Sequence, residues 1–191
     1  MTLSANEERR LVERLQDGER QAVSDFYALY ADYLAGVCSR YVVDREDKKD
    51  VFQDALVNLL SHMSDFQYRG PGSLRAWATR TVVNTALRHL RSRHQHELLT
   101  LADDDVANEP MADDEPPISD IPPDVIHQMV SSLPTGYRTV FNLYAVEHLS
   151  HQEIARLLGI KESTSASQLH HAKRLLAKMI EAYSKPKDPR Q

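Results

Sequence analysis

The 191-residue sequence has a single cysteine, Cys38, and only six glycines. One thiol excludes an intramolecular disulfide framework. Few glycines and few β-branched runs disfavour a sheet and favour an all-α chain. Nowhere does the sequence reach the roughly 18 consecutive apolar residues that a membrane span requires. The segment Met1–Arg10, with Glu7, Glu8, Arg9 and Arg10, lacks the apolar core of a signal peptide. A cytoplasmic protein without membrane insertion is expected. There is no phosphate-binding glycine loop and no nucleophile motif, so enzymatic activity is not expected. Nine histidines are present, but His94/His96, His148/His151 and His170/His171 are isolated pairs without supporting carboxylates or thiolates. They fall short of a four-ligand zinc site, and no metal or other cofactor is expected.

Basic charge is missing from one segment. Between Gln95 and Asp124 stand ten Asp and Glu and no Lys or Arg, with Pro110, Pro116, Pro117, Pro122 and Pro123 among them. This composition reads as a flexible linker over 95–122, separating domains at 1–94 and 123–184. The whole chain carries a formal charge of −5, but without these acids 18 Asp and Glu face 23 Lys and Arg. The remainder is basic, as a nucleic-acid partner requires.

Helix signals fill both domains. Ser4 and Glu7 form a capping-box pair ahead of a helix that should end near Gly18. A second helix fits 20–42, with Val23, Phe26, Tyr27, Tyr30, Leu34, Val37 and Tyr41 at helical spacing. A third fits 45–64. After the break at Gly70-Pro71-Gly72, a fourth, capped by Ser73, fits 74–93. In the C-terminal domain Pro134 suits the first turn of a helix running to about Glu147. Ser150 and Glu153 form another capping box, Gly159 can end that helix in the left-handed conformation, and a last helix runs from about Glu162 to Tyr183.

A short helix, a tight turn with glycine and a longer helix make a helix-turn-helix. On the second helix Ser165, Leu169, Ala172 and Leu176 share one face, which should pack on Val140, Ile154 and Leu157. The opposite face should present Ser163, Ser167, His170, His171, Arg174 and Lys178, with Thr164 and Gln168 also candidates for DNA contact. Hydroxyls and imidazoles can reach base edges, and Arg174 and Lys178 suit phosphates. Periodicity alone fits an ordinary basic surface helix equally well. The pattern Leu133-Pro134-x-x-Tyr137-Arg138-x-Val140-Phe141, followed by Leu149-Ser150-His151-Gln152-Glu153-Ile154-Ala155-x-x-Leu158-Gly159-Ile160-x-x-Ser163-Thr164, resembles the −35-binding domain of extracytoplasmic-function sigma factors. Ser165 stands where that family often has Val, and Ala166, Gln168 and His171 stand where basic residues are common. The run Ser165-x-Ser167-Gln168-Leu169 resembles versions seen among Bacteroidetes.

Between Phe66 and His96 there are six Arg and no acid. Arg80, Asn84, Arg88 and Arg91 fall within about 80° of one another on the fourth helix, with Trp77 on or beside that face. Trp77 alone fits a partly buried core position, and the arginines alone fit a solvated face. Together on one acid-free helix they suit single-stranded nucleic acid, whose backbone follows cations and whose bases stack on rings. The run from Phe66 through Tyr68, Arg69, Gly70, Gly72, Ser73, Leu74, Arg75, Ala76 and Trp77 to Arg80, Asn84 and Arg91 resembles the promoter-melting segment of sigma factors. The resemblance implies that Asn84 and Arg88 face the upstream edge of the −10 element. It also implies that the loop 66–73 lines a pocket for an extruded non-template base. Primary sigma factors carry paired aromatics near Arg80 and Thr81; their lack here implies weaker melting and stricter promoter choice.

Asp47, Asp50 and Asp54, with Val51 and Gln53, resemble the sigma segment that docks on the coiled coil of the polymerase's largest subunit. By themselves they fit a solvated acidic stripe. The resemblance thus implies core RNA polymerase (the coiled coil and the flap region) and promoter DNA as partners, with an anti-sigma or other regulatory protein as a third. The acidic linker serves either as a tether or as a nucleic-acid mimic in the polymerase cleft. A regulator with a similar C-terminal domain would need a receiver or ligand-binding fold before residue 120. A decoy that binds only an anti-sigma protein would not need the Arg/Trp/Asn face.

Overall fold

A computed structural model describes residues 3–93 and 121–184. The expected linker therefore falls almost wholly outside the described residues. Two compact units, Met1–Ser92 and Arg93–Gln191, are each held by their own contacts. All regular structure among the described residues is helical.

The first unit contains α1 (Ala5–Gln16), α2 (Arg20–Ser39), α3 (Arg45–Ser61), a 3-10 turn (Met63–Asp65) and α4 (Ser73–Arg93). The capping box at Ser4 and Glu7 is formed, satisfying backbone donors that α1 would otherwise leave open. Leu11, Val12 and Leu15 of α1 enter the core with Phe26, Leu34, Val37 and Cys38 of α2. Arg14 forks to Glu19 at 2.7 Å and Asp25 at 2.9 Å across the α1–α2 turn; it holds the Glu19 carboxyl below its ordinary range, and Gln21 and Arg14 together do the same for Asp25. Helix α2 stops at Ser39, three residues short of expectation. Tyr41 and Val42 fold back instead, their N–H groups donating to the Cys38 carbonyl. Tyr27, placed on the apolar stripe by spacing, is exposed. Asp44 caps α3 by accepting from the N–H groups of Glu46 and Asp47 at 2.9 Å. The third helix ends at Ser61, and the 3-10 turn takes the place of its expected last turn.

The second unit contains α5 (Pro123–Ser131), α6 (Thr135–Phe141), one π-helical turn (Asn142–Val146), α7 (His151–Leu158) and α8 (Glu162–Ser184). Sequence spacing did not reveal α5, because its two leading prolines read as linker; Pro123 instead sits in the first turn, where its missing N–H costs nothing. The helix expected to reach Glu147 holds α geometry only to Phe141. Ser150 and Glu153 form their capping box, and Gly159 ends α7 at φ 70°, a conformation that disfavours other residues. Leu133, Tyr137, Ala172 and Leu176 centre the core, with Met129, Val130 and Met179 around them. The Arg138 guanidinium is buried and donates to the carbonyls of Leu133 at 2.8 Å and Ser131 at 3.3 Å, tying α5 to α6.

Candidate nucleic-acid interface

Helix α4 buries Leu74, Ala78, Val82, Ala86, Leu87 and Leu90, which fixes what its other face shows. Arg80, Asn84, Arg88 and Arg91 are all exposed there. Trp77 lies half-buried between the two faces, its ring 5.0 Å from Phe66 at an interplanar angle of 41°. Two cavities border the indole. One, of about 500 Å³, is lined by Asp65, Phe66, Gln67, Arg69, Ser73, Trp77 and Arg80. The other, of about 340 Å³, lies between α3 and α4 and includes Asn58, His62, Trp77, Asn84 and Arg88. The indole of Trp77 packs on Phe66 and also lines both recesses.

The loop bordering the larger cavity is held by α1. Glu8 is only 2% exposed, and its carboxylate accepts from the N–H of Gly72 at 2.6 Å and of Leu74 at 2.8 Å. Glu8 therefore caps α4, correcting the expectation that Ser73 does so. Ser73 lies inside the helix, and its Oγ accepts from the Arg69 N–H at 3.3 Å. Gly72 takes φ 81°, which presents its N–H to Glu8 at no steric cost. Gln16 donates to the carbonyls of Phe66 at 2.8 Å and Met63 at 3.2 Å. The Tyr68 hydroxyl donates to the Ala5 carbonyl at 3.0 Å, and the Arg9 guanidinium lies 5.2 Å from the Tyr68 ring centre. Tyr68, expected at the DNA, is thus engaged with α1, and it is not among the residues lining the cavity. Arg75 lies 3.9 Å from the centre of the Tyr33 ring. Sequence reading missed Glu8 and Gln16. The available signal was an acid one turn ahead of Leu11 and Val12 on an apolar stripe, where a buried charge needs strong partners.

On α8, Ser163 and His170 are exposed, Thr164 and Ser167 half-buried, and Lys178 exposed further along. Three expected contacts are corrected. Gln168 is fully buried and Arg174 is 6% exposed, so neither side chain is on the outer face. The helix is longer than its helix-turn-helix portion, and Ala172, Leu176 and Met179 in its later turns pack with Met129 and Val130 of α5 and Tyr137 of α6. His171 stacks on the buried Tyr137, 5.5 Å between centres, and is a packing group rather than an outward one. Ser165 is fully buried, with its Oγ 3.0 Å from His151 Nδ1, and His151 stacks on Tyr144 at 4.9 Å. A hydroxyl at this position, where the resembled family often has Val, joins α7 to α8. Leu157 is only partly buried; Leu158 reaches the core instead.

On α3, Asp50, Gln53 and Asp54 are exposed. Val51 is 2% exposed and belongs to the core, which corrects its assignment to a docking surface. Asp47 turns toward α4, its Oδ2 3.4 Å from His89 Nε2, with 18% of its side chain exposed. No described helix is long and apolar enough to cross a membrane.

Two family models match this architecture: Sigma-70 region 2 over residues 26–96 and Sigma-70, region 4 over residues 124–176. The RNA polymerase sigma-H factor of Pseudomonas aeruginosa is 27% identical over 192 residues, covering 94% of this chain and 96% of its own. The ECF RNA polymerase sigma-E factor of Haemophilus influenzae is 28% identical over 180 residues, covering 90% and 94%. A solved structure of CnrH in complex with the cytosolic domain of CnrY has a TM-score of 0.49 at 23% identity, covering 92% of this chain and 98% of that one. These relatives do not bear on the likeness to Bacteroidetes sequences. With both modules matched in order, and with relatives named as RNA polymerase sigma factors aligned over 90% or more of its length, the chain belongs to the sigma-70 family as a factor of the extracytoplasmic-function type, directing transcription initiation at specific promoters.

Proposed function

We propose that the first unit, 1–94, recognises and melts the −10 element and that the second, 123–184, reads the −35 element. The observation that carries the first assignment is the larger cavity beside Trp77, opening next to Arg80 on an arginine-rich face. Extruding a base costs a few kcal/mol of stacking and pairing. A recess walled by an indole and bordered by Arg69, Ser73 and Gln67 can return that energy through stacking and hydrogen bonds. Arg80 and Arg91 track phosphates, and Asn84 and Arg88 face the upstream edge of the −10 element. Tyr68 contributes by holding the loop.

In the second unit Ser163, Thr164, Ser167 and His170 on the first turns of α8 enter the major groove, and Lys178 meets a phosphate. Asp50, Gln53 and Asp54 dock on the coiled coil of the largest polymerase subunit, and the C-terminal unit engages the flap region. The protein acts in the cytoplasm as a recognition subunit rather than a catalyst. An anti-sigma or other regulatory protein competes for its polymerase-facing surfaces.

Run-off transcription with purified core polymerase on a promoter library tests the reading. Initiation should require both promoter elements and fall when Asn84 or Ser167 is changed to Ala. No start site on any template would overturn it.

A further inference from the structure

Both ends of the cavity-forming loop, and its middle, are tied to one helix outside the arginine face. Gln16 holds Met63 and Phe66, Ala5 and Arg9 hold Tyr68, and Glu8 holds Gly72 and Leu74. Glu8 and Gln16 are eight residues apart on α1, about 12 Å along its axis and about 80° around it. They match the two ends of the loop. An apolar side chain could fill the space of Glu8 at far less desolvation cost. What the carboxylate adds is direction: two charge-assisted bonds at the N-terminus of α4, where partial positive charge gathers.

We infer that Glu8 and Gln16 are positioning residues for base recognition, with α1 acting as a strut that fixes the loop cavity before DNA arrives. The inference rests on the reading that this cavity receives the extruded base. A recess discriminates among bases only when its walls and polar groups are held to about half an ångström. A loop ordered only on binding would spend part of the contact energy on its own ordering. Phe66, pinned by Gln16, is also the ring partner of Trp77, so α1 sets the wall as well as the rim.

The experiment uses the full chain with core polymerase, on promoters that carry each of the four bases in turn at every −10 position. Open-complex yield and closed-complex affinity are both measured. The wild type should favour one base sharply at the extruded position. Glu8→Gln, which sets an amide N–H against a backbone N–H, should compress that preference by about tenfold, the worth of one charge-assisted hydrogen bond. Gln16→Ala should compress it in the same direction, and it provides a milder variant should Glu8→Gln fold poorly. The exposed Glu13→Gln on the same helix should behave as wild type. Preference at other positions, −35 dependence and core binding should not change. If both variants lose activity equally for all four bases, in step with lowered thermal stability, α1 is only a packing element and the inference fails. If the wild type itself favours no base at any −10 position, the base-pocket reading fails instead.

Discussion

Trp77→Ala separates two jobs that one ring performs. If the indole only fills space against Phe66, its loss should lower thermal stability and weaken closed and open complexes alike. With two cavities bordering it, the expected outcome is a larger loss of open than of closed complex, read by permanganate reactivity against gel shift. A similar split distinguishes neighbours on α8. Gln168→Ala removes a fully buried side chain and should cost about 1–3 kcal/mol of stability while leaving −35 preference intact. His170→Ala should do the reverse. Helical spacing put Arg174 with His170 on one side of α8; the surrounding helices, which spacing does not show, bury Arg174. Val51 is the same lesson on α3, where a residue flanked by exposed acids faces inward. Cys38 is buried and its thiol is pushed up to about 11. It should resist alkylation at pH 8 in the native protein and react on denaturation. The neutral thiol favours the fold fully below its unfolded value of 9.0, and this contribution is lost as pH rises through about 11.

At the scale of elements, the local signals that survive in the structure are those with a backbone reason. Both capping boxes and the left-handed Gly159 follow from hydrogen-bond needs at helix ends, which a few adjacent residues decide. Ser150→Ala should therefore cost about 1 kcal/mol of the stability of the second unit, measured by denaturant unfolding. Glu153 adds a pH dependence, since its hydrogen bonds from Ser150 hold its carboxyl below the ordinary 4.5. That contribution is complete above the unfolded value and disappears as pH falls through the lower folded one. Glu153→Gln should flatten that part of the acid limb. The cap of α4 was not legible, because its donor and acceptor are more than sixty residues apart. Nor was α5, where Pro122 and Pro123 serve a helix start as readily as a linker end.

For the whole molecule, charge is segregated along the chain rather than balanced. Outside the acidic stretch the net charge is +5, so holoenzyme binding to promoter DNA should weaken steeply as salt rises. Polymerase docking is separable from this. Asp50→Lys combined with Gln53→Ala changes two exposed positions and should reduce capture of core enzyme with little change in thermal unfolding. Unchanged capture would remove α3 from the docking surface. The two-module order and the exposed arginines of α4 were readable from sequence, since a basic stripe and a helix-turn-helix are local patterns. The Sigma-70 region 2 match begins at residue 26, inside α2, and leaves α1 out. A chain begun at that boundary would keep every arginine of α4 and still hold nucleic acid by charge. It would lack the side chains of Glu8 and Gln16 that hold the loop, and so should lose choice among bases at the one position that loop reads while its −35 preference persists.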